Sequence, residues 1–224
     1  MFVYQNKDRS ICITFKDNQP VTNPEYVLNV VDNQLVVNGT EITPGNNTIV
    51  TEDTVYDTAV EINEIVNLYL NGKTISIPED TDGIGVYKVT AGGHLTINGN
   101  GTINGVGKND YNMAIWADGG DVTINGGTFT NIGATASVDP AHFDLIYVKN
   151  DSVVEINGGY FECETPKWTL NLNDKNPGKI IVKGGTFYKF DPSKAETEPG
   201  GLTNFVADGY TVINDGDLYT VVKV

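Results

Sequence analysis

Apolar and polar residues alternate one by one through short runs along most of this chain, as in Val66-Asn67-Leu68-Tyr69-Leu70 and Asp121-Val122-Thr123-Ile124. A period of two predicts strands with one buried face. The runs close on one recurring phrase: Leu70-Asn71-Gly72-Lys73-Thr74-Ile75, Ile97-Asn98-Gly99-Asn100-Gly101-Thr102-Ile103, Ile124-Asn125-Gly126-Gly127-Thr128-Phe129, Ile156-Asn157-Gly158-Gly159-Tyr160-Phe161 and Val182-Lys183-Gly184-Gly185-Thr186-Phe187. A degenerate sixth copy reads Ile213-Asn214-Asp215-Gly216-Asp217-Leu218, and the intervals between copies are 27, 27, 32, 26 and 31 residues. A repeat of that length denotes one structural unit stacked on its neighbours.

Two or three short strands per repeat, joined by turns too short for a crossover helix, predict a β-solenoid whose rungs pair in parallel. Stacking places like on like. Ile97, Ile124, Ile156 and Val182 should form an aliphatic column, and Phe129, Phe161 and Phe187 an aromatic one. Gly72, Gly99, Gly126, Gly158 and Gly184 are expected at corners that need positive φ. The Asn before the corner, at Asn98, Asn125 and Asn157, should form a ladder of stacked amides that Lys183 interrupts.

Around residues 51–66 two patterns compete. The spacing of Val55, Ala59, Ile62 and Val66, with Thr54 and Asp57 as a capping box, fits a short helix. The alternation at Val60 and Ile62, then Val66, Leu68 and Leu70, favours strands, and strands are expected. Residues 1–50 lack the phrase in good form, apart from Val36-Val37-Asn38-Gly39-Thr40-Glu41-Ile42, which could start a first rung. They read as a small β-rich capping or anchoring segment before a β-helix over 51–224, since a solenoid end needs a cover. The insertion at Ala134–His142 should be a surface loop, and Pro192 and Pro199 should keep Asp191–Gly201 irregular. Phe205–Val212 and Leu218–Val222 read as closing strands.

The formal charge of −15 sets repulsion against nucleic acid and anionic lipid, so neither is an expected partner. Cys12 and Cys163 are too few for a stapled scaffold and should both be reduced. The first residues show no basic start followed by an apolar run, and no stretch approaches the ~20 apolar residues of a membrane span. The chain is therefore expected to be made in the cytoplasm, without an export signal.

The phrases Leu68–Ile75 and Leu95–Ile103, with the Gly-Gly-Thr-Phe corners, resemble the coils of pectin-lyase-like right-handed parallel β-helices. That resemblance implies an all-β, right-handed parallel β-helix, and the copies of the phrase give it about five to six rungs. The stretch Asn204–Val212, after Phe190-Asp191-Pro192-Ser193, resembles the last coil of β-helical proteins of gut bacteria and their phages. Val30–Ile42 is similar in style to virion-attachment segments of phage structural proteins. The fold serves lyases, glycosidases, adhesins and phage fibres alike, so activity must be argued from residues.

The enzymatic members imply chemistry this sequence does not supply. A pectate-lyase-type site needs clustered Asp for Ca²⁺ and an Arg base. Arg9 is the only arginine, and Lys88, Lys149, Lys179 and Lys183 bring no carboxylate cluster at adjacent-rung spacing. The Gly-His-Gly and Arg-x-Lys motifs of polygalacturonases are missing. Asp118, Asp121, Asp139, Asp144 and Asp151 read as turn residues rather than a glycosidase pair. His142 between Asp139 and Asp144 is the best metal-ligand cluster, yet it matches no strong ligand spacing. His94 reads as a surface residue, and Cys163 has no neighbouring His to activate it. No catalytic, cofactor-binding or metal-ligating residue is therefore assigned. Tyr111, Trp116, Tyr160 and Trp168 could stack on sugars, and Trp116, alternating with Ile115, should point outward.

Together with the resemblance, these residues lead to the expectation of a non-enzymatic phage virion protein: a head fibre, capsid decoration or short tail-fibre subunit. It would meet capsid or other virion proteins through residues 1–50, self-associate as a trimer and contact glycans. The alternative is a carbohydrate-binding or polysaccharide-degrading β-helix of a bacterial surface.

Overall fold

The computed structural model describes residues 2–5, 11–14, 28–31, 34–37, 40–42, 47–78, 85–105, 113–131 and 144–224. Two compact units divide the chain, residues 1–47 and 48–224. Among the described residues no helix is long and apolar enough to cross a membrane.

The first unit is antiparallel. Phe2–Gln5 pairs with Ile11–Thr14, and Leu28–Val31, Gln34–Val37 and Thr40–Ile42 form a three-stranded meander. The copy of the phrase at Val36–Ile42 is thus no solenoid rung. Its two strands fold back on each other with Val37 opposite Thr40, as two strands separated by a lone Asn-Gly favour.

The second unit is a parallel β-solenoid with three faces. The first face stacks Val60–Ile62, Tyr87–Thr90, Ile115–Asp118, Ile146–Lys149 and Leu170–Leu172. The second stacks Asn47–Ile49, Ile65–Tyr69, His94–Asn98, Asp121–Ile124, Val153–Ile156 and Lys179–Val182. The third stacks Thr54–Val55, Thr74–Ser76, Thr102–Asn104, Thr128–Asn131, Tyr160–Cys163 and Thr186–Tyr188. From Val60 to Leu172 the chain makes about four turns. Residues 54–69 are strands and not a helix, because each pairs with the coil above it: Val60 with Tyr87, Leu68 with Ile97.

Register puts the expected columns in place. Leu68, Ile97, Ile124, Ile156 and Val182 follow one another and are almost completely buried. Phe129, Phe161 and Phe187 stack with ring centroids 5.1 and 4.7 Å apart and planes tilted by 9° and 12°. Such a parallel ladder of rings, buried on all sides, contributes beyond its area.

The Asn ladder is present: Asn125 Nδ2 donates to Asn98 Oδ1 at 2.9 Å, and Asn157 Nδ2 to Asn125 Oδ1 at 3.0 Å. Lys183 ends it and turns its ammonium to Glu155 at 2.6 Å. The corner glycines differ from expectation. Gly72 and Gly99 have φ of 70° and 87°, but at the last three corners positive φ falls on the second glycine, 102° at Gly127, 111° at Gly159 and 99° at Gly185. The first glycine there serves close stacking: a Cβ at Gly126 or Gly158 would stand 2.9 Å from the carbonyl oxygen of Gly99 or Asn125 below.

At the far end the parallel pattern stops. Val182 exchanges hydrogen bonds with Phe205 and Ala207, at 2.8 and 2.9 Å, which adds a last short rung to the second face. The degenerate sixth phrase is not a rung. Tyr210–Asp215 and Leu218–Lys223 form an antiparallel hairpin, turning at Gly216 with φ 64°, and Leu218–Lys223 runs antiparallel to Thr186–Tyr188. Asp191–Gly201 is also more regular than its prolines imply, since Ala195–Glu196 pairs with Leu202–Thr203. The insertion at Ala134–His142 lies outside the described residues.

Candidate functional site: the outer side of the first face

Alternation on the first face turns Val89, Ile115, Ala117, Ile146 and Val148 inward and leaves Lys88, Trp116, Tyr147, Asp118 and Lys149 on the outside. Register sets Lys88 under Trp116, Trp116 under Tyr147 and Tyr147 under Asn171, with Thr90, Asp118 and Lys149 in the next column. Trp116 thus points outward, as its alternation predicts, and meets Tyr147 at 6.5 Å between ring centroids.

Its ring is not an open platform. The ammonium groups of Lys88 and Lys149 lie 4.8 and 5.5 Å from the ring centroid, within cation–π range. Both lysines also reach Asp118, at 3.5 and 3.8 Å, and Asn150 Nδ2 donates to Asp118 at 2.7 Å. Asp118 therefore pairs with both cations and offsets half of their charge. Trp116 Nε1 is buried and has no hydrogen-bond partner.

Beyond Tyr147 the hairpin at 195–203 folds over the face. Glu198 accepts from the Tyr147 hydroxyl at 3.0 Å and from Asn171 Nδ2 at 3.2 Å, and its own amide donates to Asn171 Oδ1 at 3.0 Å. Asn171 Nδ2 also donates to Asp144 Oδ1 at 2.8 Å. The shared donor keeps the two carboxylates within about 6 Å of each other. Asn173 Nδ2 donates to the Tyr147 oxygen at 2.7 Å. Burial pushes the Tyr147 phenol well above its ordinary value, with the Glu198 carboxylate adding to the effect and Asn173 opposing it. Tyr147 is accordingly a proton donor in hydrogen bonds at neutral pH. The face offers hydrogen bonds and aromatic edges.

The other sequence candidates are scattered. Asp121 Oδ1 accepts the Val153 amide at 2.8 Å, fastening one coil to the next. Asp151 sits in a turn at φ 61° beside Asn150 at 52°. His94 bonds Thr123 Oγ1 at 3.0 Å on the second face. Cys163 is buried, and burial pushes its thiol far up, away from nucleophile chemistry. Tyr160 donates to Glu162 at 2.9 Å on the third face, and burial first, then Glu162, pushes its phenol up to about 12. Trp168 lies in a 3-10 turn with Lys167 over its ring at 4.6 Å. Arg9, Tyr111, Asp139 and His142 lie outside the described residues. Among the described residues no group of three or more His, Cys, Asp or Glu is placed to hold a metal ion.

No family model matches the chain, and no curated protein and no solved structure does so either. The solenoid fold by itself does not identify a family. Sequence reasoning missed Tyr147, Asn171 and Glu198. Tyr147 shares the phase of Trp116 one repeat later and was findable; Glu198 comes from a segment 51 residues away from Tyr147, which no local pattern reveals.

Proposed function

We propose that this chain is a non-enzymatic structural protein of a phage virion, held to the particle by its N-terminal unit and displaying the solenoid. The observation that carries the reading is the change of architecture between Thr40–Ile42, the last antiparallel strand of the first unit, and Asn47–Ile49, the first strand of a continuous parallel stack. Attachment and display can be divided between separate units, and this chain has two. Six rungs on the second face, at ~4.8 Å each, make a stub of roughly 25–30 Å, suited to decoration of a capsid surface. A ladder with filled columns unfolds slowly, which an exposed particle component requires.

The test is mass spectrometry of purified virions from the phage that encodes the chain. The protein is expected in the particles at a fixed ratio to the major capsid protein, and its absence would overturn the reading. Removal of residues 1–47, with the solenoid's far-ultraviolet dichroism intact, should abolish incorporation; undiminished incorporation would refute the anchoring role.

A further inference from the structure

Among the described residues of the solenoid unit, the large apolar side chains that are exposed lie at one end or the other. Ile49, Val55 and Ile65 belong to its first coils, and Leu202, Ile213, Leu218 and Val224 to its last strands. At the far end Tyr210–Asp215 is the terminal strand of the eight-stranded third sheet, with Leu218–Lys223 on one side and, among the described residues, no strand on the other. Its sequence, Tyr-Thr-Val-Ile-Asn-Asp, is β-branched at the centre, carries its only charge at the last position and has no proline. Ile213 is 54 % exposed. An unblunted edge of this kind is a template for another strand.

The hairpin's register tells which backbone groups are free. The Val224 amide donates to the Gly209 carbonyl at 2.9 Å, so Gly209 and Val224 are a hydrogen-bonded pair. Antiparallel pairing alternates from there, through Thr211 with Val222 and Ile213 with Thr220. The amides and carbonyls of Val212 and Asn214, and the carbonyl of Tyr210, therefore point away from the sheet. The Tyr210 amide is taken by the Ala207 carbonyl at 3.1 Å.

We propose that this edge pairs with the same edge of a second copy, antiparallel about a two-fold axis through Val212. Each Val212 amide then donates to the other Val212 carbonyl, and each Asn214 amide to the Tyr210 carbonyl of the second copy, about four hydrogen bonds in all. Thr211 faces Ile213 and covers it. In this register Asp215 falls opposite Gly209, Asp208 opposite Gly216 and Asp217 opposite Ala207, so no two acidic residues pair directly, while Asp208 lies diagonal to Asp215 and Asp217 of the second copy and salt is needed to screen them. A two-fold contact of one patch with itself closes as a dimer, whereas the sequence reading favoured a trimer. The contact is small, and the association is weak and concentration-dependent. It does not depend on the virion reading, which stands or falls on the particle's composition.

Sedimentation velocity of the full chain from micromolar to near-millimolar concentration reads the equilibrium. The monomer should give way to a dimer as concentration rises, more readily at high salt because the overall charge of −15 is screened. Val212→Pro removes an outward amide and no hydrogen bond of the hairpin; it should weaken dimerisation at least tenfold while the far-ultraviolet dichroism of the monomer is retained, with some loss of melting temperature from the core contact of Val212. Should that variant misfold, Ile213→Glu, which adds a carboxylate near the axis to each copy of an already acidic chain, should weaken dimerisation in low salt and recover in high salt. A wild-type chain that stays monomeric throughout, or association unaffected by these substitutions, overturns the proposal.

Discussion

At the scale of the residue, consecutive glycines at one corner answer two separate demands. Gly185 supplies the backbone turn at φ 99°, while Gly184 leaves room for the coil below, because a Cβ there would meet the Asn157 carbonyl head on. A backbone oxygen held in a ladder cannot yield as a side-chain tip can. Gly72 is the opposite case: its φ is 70°, but nothing lies within 4 Å of an added Cβ. Gly184→Ala should therefore cost about 3 kcal/mol, among the larger effects of single substitutions. Gly72→Ala should cost about 1 kcal/mol, the strain of a left-handed alanine. Urea unfolding of both variants checks this, and the reverse order would sink the steric account. The sequence shows Gly-Gly without showing which glycine turns, since both demands select the same residue.

Elements in this fold are fastened by repeats between coils, and the amide ladder shows how such a fastening ends. Asn98, Asn125 and Asn157 bond in series, and the next position is Lys183, which instead pairs with Glu155. The Lys183 ammonium, with Asn157 assisting and burial opposing, holds the Glu155 carboxyl below its ordinary value of 4.5. A carboxyl depressed in the folded state contributes stability above its unfolded pKa and loses it as pH falls through the folded pKa. Lys183→Asn would add a fourth amide to the ladder and remove the ion pair. The stability difference between wild type and this variant should then be constant near neutral pH and change as pH drops below about 4.5. Melting curves from pH 7 to pH 3 read it; a difference independent of pH would show that the pair contributes nothing. The pair is partly exposed, so added salt should shrink its effect.

Across the whole solenoid, stability is collected in the columns and vulnerability at the ends. Phe161 stacks on Phe129 below and Phe187 above and is fully buried. Phe161→Ala opens a cavity in mid-stack and should cost about 3–5 kcal/mol. Leu202, 71 % exposed on the terminal hairpin, should tolerate alanine within about 0.5 kcal/mol. Thermal and urea unfolding compare the two. Equal losses would mean that the stack is no more than surface cover. The end strands matter instead for what they can join, because a stack of parallel coils has free edges only there.

The alternation of apolar residues and the repeated phrase determined the coils, the two internal columns and the Asn ladder, because a strand's inner face and a stacked position impose one residue type at one spacing. Trp116 was legible as an outward residue for the same reason. Tertiary structure alone decided three matters. The phrase at Val36–Ile42 and the phrase at Ile213–Leu218 became hairpins, since a local Asn-Gly or Asp-Gly turn suits either a coil corner or a reversal and only the neighbouring strand selects between them. Glu198 reached Tyr147 and Asn171 through a folded-back hairpin, a contact without local pattern. The free edge at Tyr210–Asp215 exists because the last strands reverse, leaving backbone groups unpaired that a further coil would have used.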